Sequence, residues 1–370
     1  MTLYYIIFSF LLISCTFEIA TTKIKYRVLI LWGLFFTLFG GLRWQTGGDW
    51  EQYYDHFLHS EWDNIFNYDR YGNGVENLEP FFVFLNVLVK SIFGSFYWYN
   101  IIICAFIQFT YIYASKYYCK DHPIMMYTFI MLMGGYYFPV RAGLCIVVCY
   151  WAYKMIKERN LKMYLLIMLV AFNIHHASLV LLPAYWLGHI RLKPIYLFGI
   201  LGFMLVLGTM FQDYFSLIAV LMGGDVGEKA LAYTENQTEG FDMRGSYMMG
   251  NAIAFFLLFV YVRLKQSVIF DDYWINTLLN CFVAYYSISF VFRDGMGDLA
   301  RLSSYFFLAN AILFMYTLKE LKATKRSFYL AGIFFFILYM GYQVTKACDG
   351  YFFEVTNVPY KTIFDYQNIK

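Results

Sequence analysis

Apolar stretches long enough for membrane helices follow one another along almost the whole chain. They cover residues 3–20, 28–42, 79–93, 96–115, 123–139, 140–154, 161–174, 177–190, 194–211, 247–262, 273–292, 302–318 and 327–345. Crossing a bilayer takes about 20 apolar residues, and an open chain satisfies its backbone in lipid only as a helix. The pattern therefore predicts an all-α, polytopic membrane helix bundle, with residues 1–370 forming a single integral membrane domain.

Clusters of Lys and Arg orient this bundle. Six short segments between the apolar stretches hold more than half of the 28 basic residues: 23–27, 116–120, 154–162, 191–193, 263–265 and 319–326. Because short basic loops face the cytoplasm, all six should share one side, which requires an even number of crossings between neighbouring clusters. Residues 79–93 contain Glu79-Pro80, Asn86 and Lys90 and suit a re-entrant or interfacial helix. In addition to this re-entrant or interfacial helix, we predict about twelve membrane crossings, with both termini external.

Composition limits the classes of function. Hydrophobic residues make up 61% of the chain and charged residues 14%, against about 25% charged in globular proteins, which excludes a soluble enzyme. A net charge of +3 without a basic run excludes nucleic acid as a partner. The seven cysteines form no CxxC pair and are predicted to be buried small hydrophobes. We predict no metal and no cofactor.

The topology places two longer loops, 43–78 and 212–246, on the external face. In the first, two glycines between Arg43 and Asp49 permit a tight turn that holds these two residues near one another. Aromatic rings beside acids are typical of sugar-binding surfaces, because the apolar faces of pyranose rings stack on them. The candidate rings are Trp44, Trp50, Tyr53 and Tyr54. A solvated loop with an aromatic belt explains the same residues.

Two breaks between apolar stretches carry polar residues at the outer boundary. Arg141 follows Pro139-Val140, and an arginine at bilayer depth costs about 2.5 to 3.5 kcal/mol. This cost predicts a partner anion or a water-filled cavity, with snorkelling to the interface as the alternative. His175 and His176 lie at the break between a second pair of apolar stretches, and either histidine can accept a proton from a hydroxyl. A hydrogen-bonded interfacial histidine is the alternative there.

A third polar cluster lies in the second half of the chain. Arg293 and Arg301 flank a glycine-bearing turn, and a helix starting at Arg301 adds partial positive charge, an arrangement suited to phosphate oxygens. Neutralisation by Asp294 and Asp298 is the alternative. Arg244, before the stretch at 247, is a further candidate. These separated external arginines suggest a bound diphosphate.

Short motifs stand at these positions over residues 28–320. They are Arg43 with Gly48-Asp49 and Tyr53; Glu79-Pro80; Val140-Arg141-Ala142-Gly143-Leu144; His176-Ala177-Ser178; and Arg301 with Ser304-Tyr305-Phe306. In order and spacing they resemble the EpsG-like family of exopolysaccharide and O-antigen polymerases (Wzy-type). The resemblance implies a GT-C-like glycosyltransferase of the bacterial inner membrane, active on its periplasmic face. It implies undecaprenyl-diphosphate-linked oligosaccharides as substrates and allows a chain-length regulator protein as a partner.

The roles expected from this resemblance complete the hypothesis. Transfer from a lipid diphosphate needs an acceptor hydroxyl to lose its proton and a leaving diphosphate to be stabilised, here without a metal. The diphosphate ligands would be Arg141, Arg293 and Arg301, with Arg43 and Arg244 as additions. The base would be His176 or His175, or instead one of the carboxylates Asp49 and Glu79, which otherwise bind sugar hydroxyls.

Two other classes of protein remain open at this point. A transporter or flippase of lipid-linked sugars would line a path through the membrane midplane with charged residues, whereas here they gather at one face. An O-antigen ligase uses the same lipid diphosphate chemistry and differs mainly in the family pattern.

Overall fold

A computed structural model gives the fold of most of the chain. It describes residues 1–20, 25–70, 72, 77–134, 138, 141–222, 250, 253, 254, 256–258, 260, 261, 264, 272–292, 297–348 and 351–366. In this part of the chain the regular secondary structure is helical, which confirms the all-α prediction. All seven cysteines are buried, as the sequence predicts.

The described α-helices are numbered in chain order. They are α1 (Thr2–Ala20), α2 (Lys25–Gly41), α3 (Trp50–His59), α4 (Pro80–Phe93), α5 (Phe96–Tyr118), α6 (Pro123–Gly134), α7 (Arg141–Lys157), α8 (Leu161–Ile174), α9 (Ala184–Leu187), α10 (Pro194–Met222), α11 (Asp272–Val291), α12 (Gly297–Ala300), α13 (Phe307–Thr324), α14 (Arg326–Cys348), α15 (Tyr351–Asn357) and α16 (Ile363–Tyr366). Short 3-10 helices cover His176–Leu181 and Arg301–Phe306.

The prediction of one continuous helix at 177–190 is wrong. The backbone forms the 3-10 helix that begins at His176, and then only the four-residue α9. Pro183 lies between the two. A proline has no N–H to donate and disfavours helical geometry at the residue before it, so the helix is interrupted here.

Both predicted external loops contain helix. In 43–78 the helix is α3, whose Trp50 and Phe57 are buried. α10 continues to Met222, past the predicted start of loop 212–246, because the apolar residues resume after one polar pair. The rest of that loop lies outside the described residues.

The chain divides into two compact units. The first comprises Met1–Leu179 together with Leu321–Lys370, and the second comprises Val180–Glu320. Most of the predicted site residues that the structure describes lie in the first unit, and Arg301 lies in the second. The prediction of a single membrane domain stays a prediction.

In the first unit, α2 and α5 pack closely and run antiparallel. Gly33 of α2 faces Ile112 of α5, and Gly41 faces Ile101. A Cβ on Gly41 would approach the Cα of Ile101 to 2.8 Å, so this approach requires glycine. Small residues allow membrane helices to pack with their backbones close together. The start of α2 therefore lies beside the end of α5.

The two ends of α2 have different polar surroundings. At its start, the ammonium groups of Lys25 and Lys116 lie 5.3 and 5.1 Å from the centre of the Tyr26 ring. Arg43 follows the other end of the helix within two residues. A helix of 17 residues is about 25 Å long, close to the ~30 Å of a bilayer's hydrocarbon core. α2 thus separates two polar ends by nearly the thickness of a membrane.

A buried acid links three helices at the Lys25 end. Glu18 of α1 accepts hydrogen bonds from the first backbone amides of α6, those of Ile124 and Met125, the latter at 3.0 Å. A carboxylate there satisfies amides that have no partner within the helix. Next to it, the His122 Nε2 lies 2.9 Å from the hydroxyl of Tyr329 in α14. This polar cluster joins α1, α6 and α14.

Segments near both ends of the chain lie at the Arg43 end of this unit. The Tyr4 hydroxyl donates a hydrogen bond to the Asn357 carbonyl at 2.9 Å. The N–H of Ile363 donates to the Leu42 carbonyl at 3.0 Å. The two chain ends therefore lie at the same end of the first unit. Which side of the membrane they occupy stays a prediction.

In the second unit, α11 joins its neighbours through buried polar side chains. The amide of Asn280 donates to the carbonyls of Leu187 and Ile190, at 2.8 and 2.9 Å, and so satisfies backbone oxygens at and just after the end of α9. The indole N–H of Trp274 donates to the Tyr316 hydroxyl of α13 at 3.3 Å. These bonds hold α11 at the centre of the unit.

Two of the described helices have the length and hydropathy to cross a membrane, namely Asp272–Val291 and Arg326–Lys346. Shorter apolar helical segments occupy Thr2–Glu18, Pro80–Phe93, Pro123–Met133, Leu161–Ile174, His176–Leu187 and Pro194–Gly208. The count of about twelve crossings, which rests on spanning length and loop charge, stays a prediction.

Candidate active site

Glu79 lies at the centre of a buried group of polar side chains in the first unit. It is the N-cap residue of α4, which Pro80 begins. Its Oε2 accepts a hydrogen bond from Nη1 of Arg141, the first residue of α7, at 2.6 Å. The two side chains are only 5% and 9% exposed. Arg141 therefore has the partner anion that its burial requires.

The other carboxylate oxygen of Glu79 faces the histidine pair. Oε1 lies 3.0 Å from Nδ1 of His175 and accepts the backbone N–H of His176 at 3.1 Å. His175 ends α8 with an extended backbone, so the chain turns between the two histidines and both reach one carboxylate. The Nδ1 of His176 is 4.0 Å from Oε1, and its ring packs against Phe172.

The surroundings of Glu79 keep it ionised. Burial acts to raise its pKa, but the hydrogen bond with His175 and the charge of Arg141 outweigh burial and lower the pKa from 4.5 to about 2. An ionised carboxylate only accepts hydrogen bonds, so Nδ1 of a neutral His175 carries the ring proton and Nε2 keeps a lone pair. This arrangement can accept a proton at Nε2 and stabilise the imidazolium that results.

Tyr53 connects α3 to the same group. Its hydroxyl oxygen accepts the backbone N–H of Arg141 at 3.3 Å, an amide without a partner inside α7. Its ring packs against Phe82 of α4 at 6.0 Å and against His56 at 6.4 Å between ring centres. Burial raises the pKa of Tyr53, so its hydroxyl stays protonated near neutral pH. Helices α3, α4, α7 and α8 thus meet at one site.

Arg43 is buried under a separate turn. It is 2% exposed, its Nη1 donates to the Thr46 carbonyl at 3.0 Å, and its guanidinium lies 4.8 Å from the centre of the Phe138 ring. Gly47 closes the turn at φ 101°, where a Cβ would meet Nη1 of Arg43 at 2.6 Å. Burial lowers the pKa of Arg43 to about 10, and the charge of Asp49 acts to raise it. The close pairing of Arg43 with Asp49 stays a prediction.

A C-terminal strap, residues 351–366, holds this turn in place. The N–H of Trp44 donates to the Lys361 carbonyl at 2.9 Å. The N–H of Lys361 donates in turn to the Thr46 hydroxyl at 3.1 Å. The strap and the turn are more than 300 residues apart in sequence, and no local pattern indicates that they pair.

Three of the four predicted sugar-stacking rings form one cluster. The ring centres of Trp44 and Trp50 are 4.7 Å apart, and Tyr54 stacks on Trp50 at 5.1 Å. Phe96 supports Trp50 from α5 at 5.6 Å. Trp50 is buried, whereas Trp44 and Tyr54 are partly exposed. The fourth ring, Tyr53, belongs to the group around Arg141.

The structure brings together part of the predicted diphosphate and base residues. Those joined by hydrogen bonds or close ion pairs are Glu79, Arg141, His175 and His176. Arg301, in the second unit, begins a 3-10 helix, but α12 directly precedes it, so the expected free helix start is not at this residue. Arg293 and Arg244 lie outside the described residues.

Two side chains near the site do not belong to any motif identified in the sequence. The ring of Phe82 lies 6.0 Å from the guanidinium carbon of Arg141. Arg70 acts electrostatically on Tyr53 and His56. Phe82 follows Glu-Pro at a helix start, where an aromatic residue is an ordinary packing choice. Arg70 lies in a loop without periodicity, where sequence alone indicates no partner.

The fold and this site define a helical membrane protein with a buried Arg–Glu–His group where four helices meet. Residues 26–362 match the EpsG family, and the chain belongs to it. The resemblance of the motifs to this family of exopolysaccharide polymerases is thereby confirmed. No curated protein and no solved structure matches the chain.

Proposed function

We propose that this protein is a glycosyltransferase that polymerises the repeat units of an O-antigen, a capsule or an exopolysaccharide. Its substrates are undecaprenyl-diphosphate-linked oligosaccharides at the outer face of the bacterial inner membrane. In this proposal the fold is a GT-C-like bundle of about twelve crossings with α4 as the re-entrant or interfacial helix. Both termini are external, and a chain-length regulator is a partner. Membership of the EpsG family and the apolar helices support the proposal.

One observation carries the proposal: Glu79 binds Arg141 and His175 at the same time. Arg141 can bind a phosphate oxygen, because a guanidinium has five N–H donors and Glu79 contacts only Nη1. His175 can take a proton. Glycosyl transfer from a lipid diphosphate needs both abilities in one place.

The proposed reaction is a displacement at the anomeric carbon of the donor. The acceptor hydroxyl gives its proton to Nε2 of His175 while its oxygen forms the new glycosidic bond. The bond between the anomeric carbon and the diphosphate oxygen breaks, and its electron pair leaves with the diphosphate. Arg141 stabilises the developing negative charge, so the mechanism is metal-independent.

The surroundings of each group favour His175 as the base. Both oxygens of Glu79 are engaged, and its pKa of about 2 makes it a weak base. The side chain of His176 is 58% exposed, and its Nδ1 is 4.0 Å from Oε1 of Glu79, so this carboxylate orients it less than it orients His175, whose Nδ1 is at 3.0 Å. Asp49 remains a candidate for sugar hydroxyls, beside the aromatic cluster. The burial of Arg43 favours a role in shaping its turn.

Arg293, Arg301 and Arg244 remain proposed diphosphate ligands. For each of them the reason is the sequence pattern, a guanidinium beside an external glycine-bearing turn or loop. Trp44, Trp50 and Tyr54 remain the proposed sugar-stacking surface, because two of these rings are partly exposed and all three are in contact.

Elongation by the purified protein tests this proposal. The protein in lipid nanodiscs is given a synthetic undecaprenyl-diphosphate repeat, without nucleotide sugar and with EDTA, and the products are separated by size. A ladder of products is expected. If the cognate repeat is not elongated and the labelled lipid crosses the vesicle membrane, the protein is a transporter and not a polymerase. Transfer only to a lipid A core acceptor would replace it by a ligase.

A further inference from the structure

Tyr53 and Tyr54 are neighbours on α3, but they face different groups. The Tyr54 ring stacks on Trp50 in the aromatic cluster, with 5.1 Å between ring centres. Successive residues of an α-helix point about 100° apart, so Tyr53 points elsewhere. The Tyr53 hydroxyl lies 3.3 Å from the backbone nitrogen of Arg141, at the start of α7. The hydroxyl of Tyr53, and not only its ring, therefore reaches the Arg–Glu–His group.

The hydroxyl of Tyr53 has a donor to spare. Among the described residues it makes one hydrogen bond, in which its oxygen accepts the N–H of Arg141. A phenol can donate its O–H while its oxygen accepts, so this proton remains available for a ligand. Accepting a hydrogen bond polarises the hydroxyl and makes its own O–H a stronger donor. Tyr53 is partly exposed, which leaves it open to a substrate.

Ring contacts hold this hydroxyl in position. The Tyr53 ring packs against Phe82 of α4 at 6.0 Å and against His56 at 6.4 Å between ring centres. His56 is held in turn, because its Nδ1 lies 3.3 Å from the Tyr68 hydroxyl. The guanidinium carbon of Arg141 also lies 6.0 Å from the centre of the Phe82 ring. The phenol and the guanidinium therefore pack against the same ring.

The leaving diphosphate needs more than one donor. The carboxylate of Glu79 lies 2.6 Å from Arg141 and offsets part of its positive charge. Breaking the bond to the anomeric carbon adds negative charge to the diphosphate, and fixed hydrogen-bond donors aimed at that charge lower the barrier. A neutral hydroxyl bound to the backbone of Arg141 is a donor of this kind.

The protonation state of Tyr53 suits a donor and not a base. Burial raises its pKa, and the charge of Asp49 acts in the same direction, while the charges of Arg141 and Arg70 oppose this rise. The phenol therefore keeps its proton near neutral pH. It can offer that proton in a hydrogen bond, and the transfer of the acceptor's proton is left to His175.

We propose that Tyr53 is a further catalytic residue, whose hydroxyl donates a hydrogen bond to an oxygen of the leaving diphosphate that Arg141 binds. This inference rests on the proposed function and gives the hydroxyl a role that sugar stacking does not require. When the bond between the anomeric carbon and the diphosphate oxygen breaks, the electron pair stays on the diphosphate. The Tyr53 hydroxyl stabilises this charge and keeps its proton.

Removing the hydroxyl alone tests this inference. Elongation of the lipid-linked repeat by the full chain in nanodiscs is compared for the wild type, Tyr53→Phe and the control Tyr97→Phe, a partly exposed tyrosine of α5. Tyr53→Phe keeps the ring and should lower kcat by roughly 10²-fold or more, with little change in KM. Tyr97→Phe should elongate at the wild-type rate.

A second variant separates donation to the substrate from support of α7, because Tyr53→Phe also removes the acceptor of the Arg141 N–H. Placing 3-fluorotyrosine at position 53 keeps the hydroxyl but makes it a stronger donor and a weaker acceptor. The proposed role predicts a kcat at least equal to that of the wild type. A hydroxyl that only supports α7 would instead give a lower unfolding temperature and a lower rate.

The outcomes distinguish this role from the function itself. An elongation rate in Tyr53→Phe equal to that of the wild type, or a slower rate with 3-fluorotyrosine, would overturn the role of Tyr53 and leave the polymerase standing. A wild type that does not elongate the cognate repeat would overturn both.

Discussion

Glu79 illustrates how one buried charge can organise several helices. Its carboxylate contacts Arg141 of α7 and the end of α8, and the residue itself occupies the N-cap position of α4. Removing one partner of a buried ion pair leaves the other charge uncompensated. The residue is therefore expected to contribute to stability as well as to the proposed chemistry, and experiments must separate the two.

The stability of the protein should depend on pH through Glu79. Folding lowers its pKa from 4.5 to about 2, so as the pH falls the unfolded state takes up this proton first. The stabilisation is complete above pH 4.5 and is lost towards pH 2. Glu79→Gln should lower stability by on the order of 3 kcal/mol at neutral pH. Its difference from the wild type should shrink between pH 6 and pH 3.

Thermal unfolding in nanodiscs over this pH range is the measurement. Glu61→Gln, which removes an exposed carboxylate of the same loop region, is the control and should follow the wild type at every pH. If the unfolding temperatures of the wild type and Glu79→Gln differ by the same amount at pH 6 and at pH 3, the conclusion that the buried Glu79 is ionised is wrong.

At the scale of residues, the sequence predicted that Arg141 needs a partner anion, but it did not predict which residue supplies that anion. The cost of burying Arg141 predicted an anion beside it. Glu79 was itself a candidate, but for another role, because it is 62 residues away and no local spacing connects them. Which histidine contacts Glu79 also depended on the turn after α8, which residue types alone do not fix.

At the scale of elements, the C-terminal strap is the least expected part of the fold. Its backbone pairs with the turn after α2, and the Tyr360 ring stacks on Phe39 at 4.4 Å between ring centres. The strap covers the turn that carries Arg43 and the aromatic cluster. It therefore couples the end of the chain to the proposed sugar-binding surface.

The hydroxyl of Thr46 should be needed for this pairing. It donates to the Trp44 carbonyl and accepts the Lys361 N–H, so Thr46→Val removes a hydrogen bond from each of these partly buried backbone groups. A loss of about 1 to 3 kcal/mol is expected. Thr37→Val is the matched control, since that hydroxyl bonds only to a carbonyl of its own helix at 2.8 Å. Equal unfolding temperatures for the two variants would contradict the role of the strap.

Apolar length predicted some elements closely and missed others for clear reasons. The predicted stretch 161–174 coincides with α8, because a continuous apolar run bounded by polar residues leaves little choice. α3 was missed because its sequence is mostly polar, and only Trp50, His56 and Phe57 are buried. The helix expected at 177–190 failed at Pro183, whose effect on the backbone outweighs an apolar run.

At the scale of the whole molecule, the proposed function requires the two ends of the first unit to lie on opposite sides of the membrane. Lys25, Lys116 and Glu18 lie at one end, and Arg43 with the proposed site lies at the other. The basic loops at the first end predict that it faces the cytoplasm. The number of crossings does not follow as directly, because several apolar helices are shorter than a bilayer requires.

Cysteine labelling in whole cells checks this orientation. His59→Cys, at a side chain that is 67% exposed near the site, should react with a membrane-impermeant maleimide from outside. Arg27→Cys, at the other end of α2, should react only after permeabilisation. The native cysteines are buried and give a low background. Labelling of Arg27→Cys from outside would reverse the proposed orientation.

In the proposed mechanism His175, oriented by Glu79, takes the proton of the acceptor hydroxyl. The most direct test compares the elongation rates of His175→Gln, His176→Gln and the exposed control His59→Gln with that of the wild type. His175→Gln should lower kcat by roughly 10²- to 10⁴-fold with unchanged KM and unfolding temperature, and His59→Gln should leave the rate unchanged. A full elongation rate in His175→Gln, or an equally large loss in His176→Gln alone, would contradict the account.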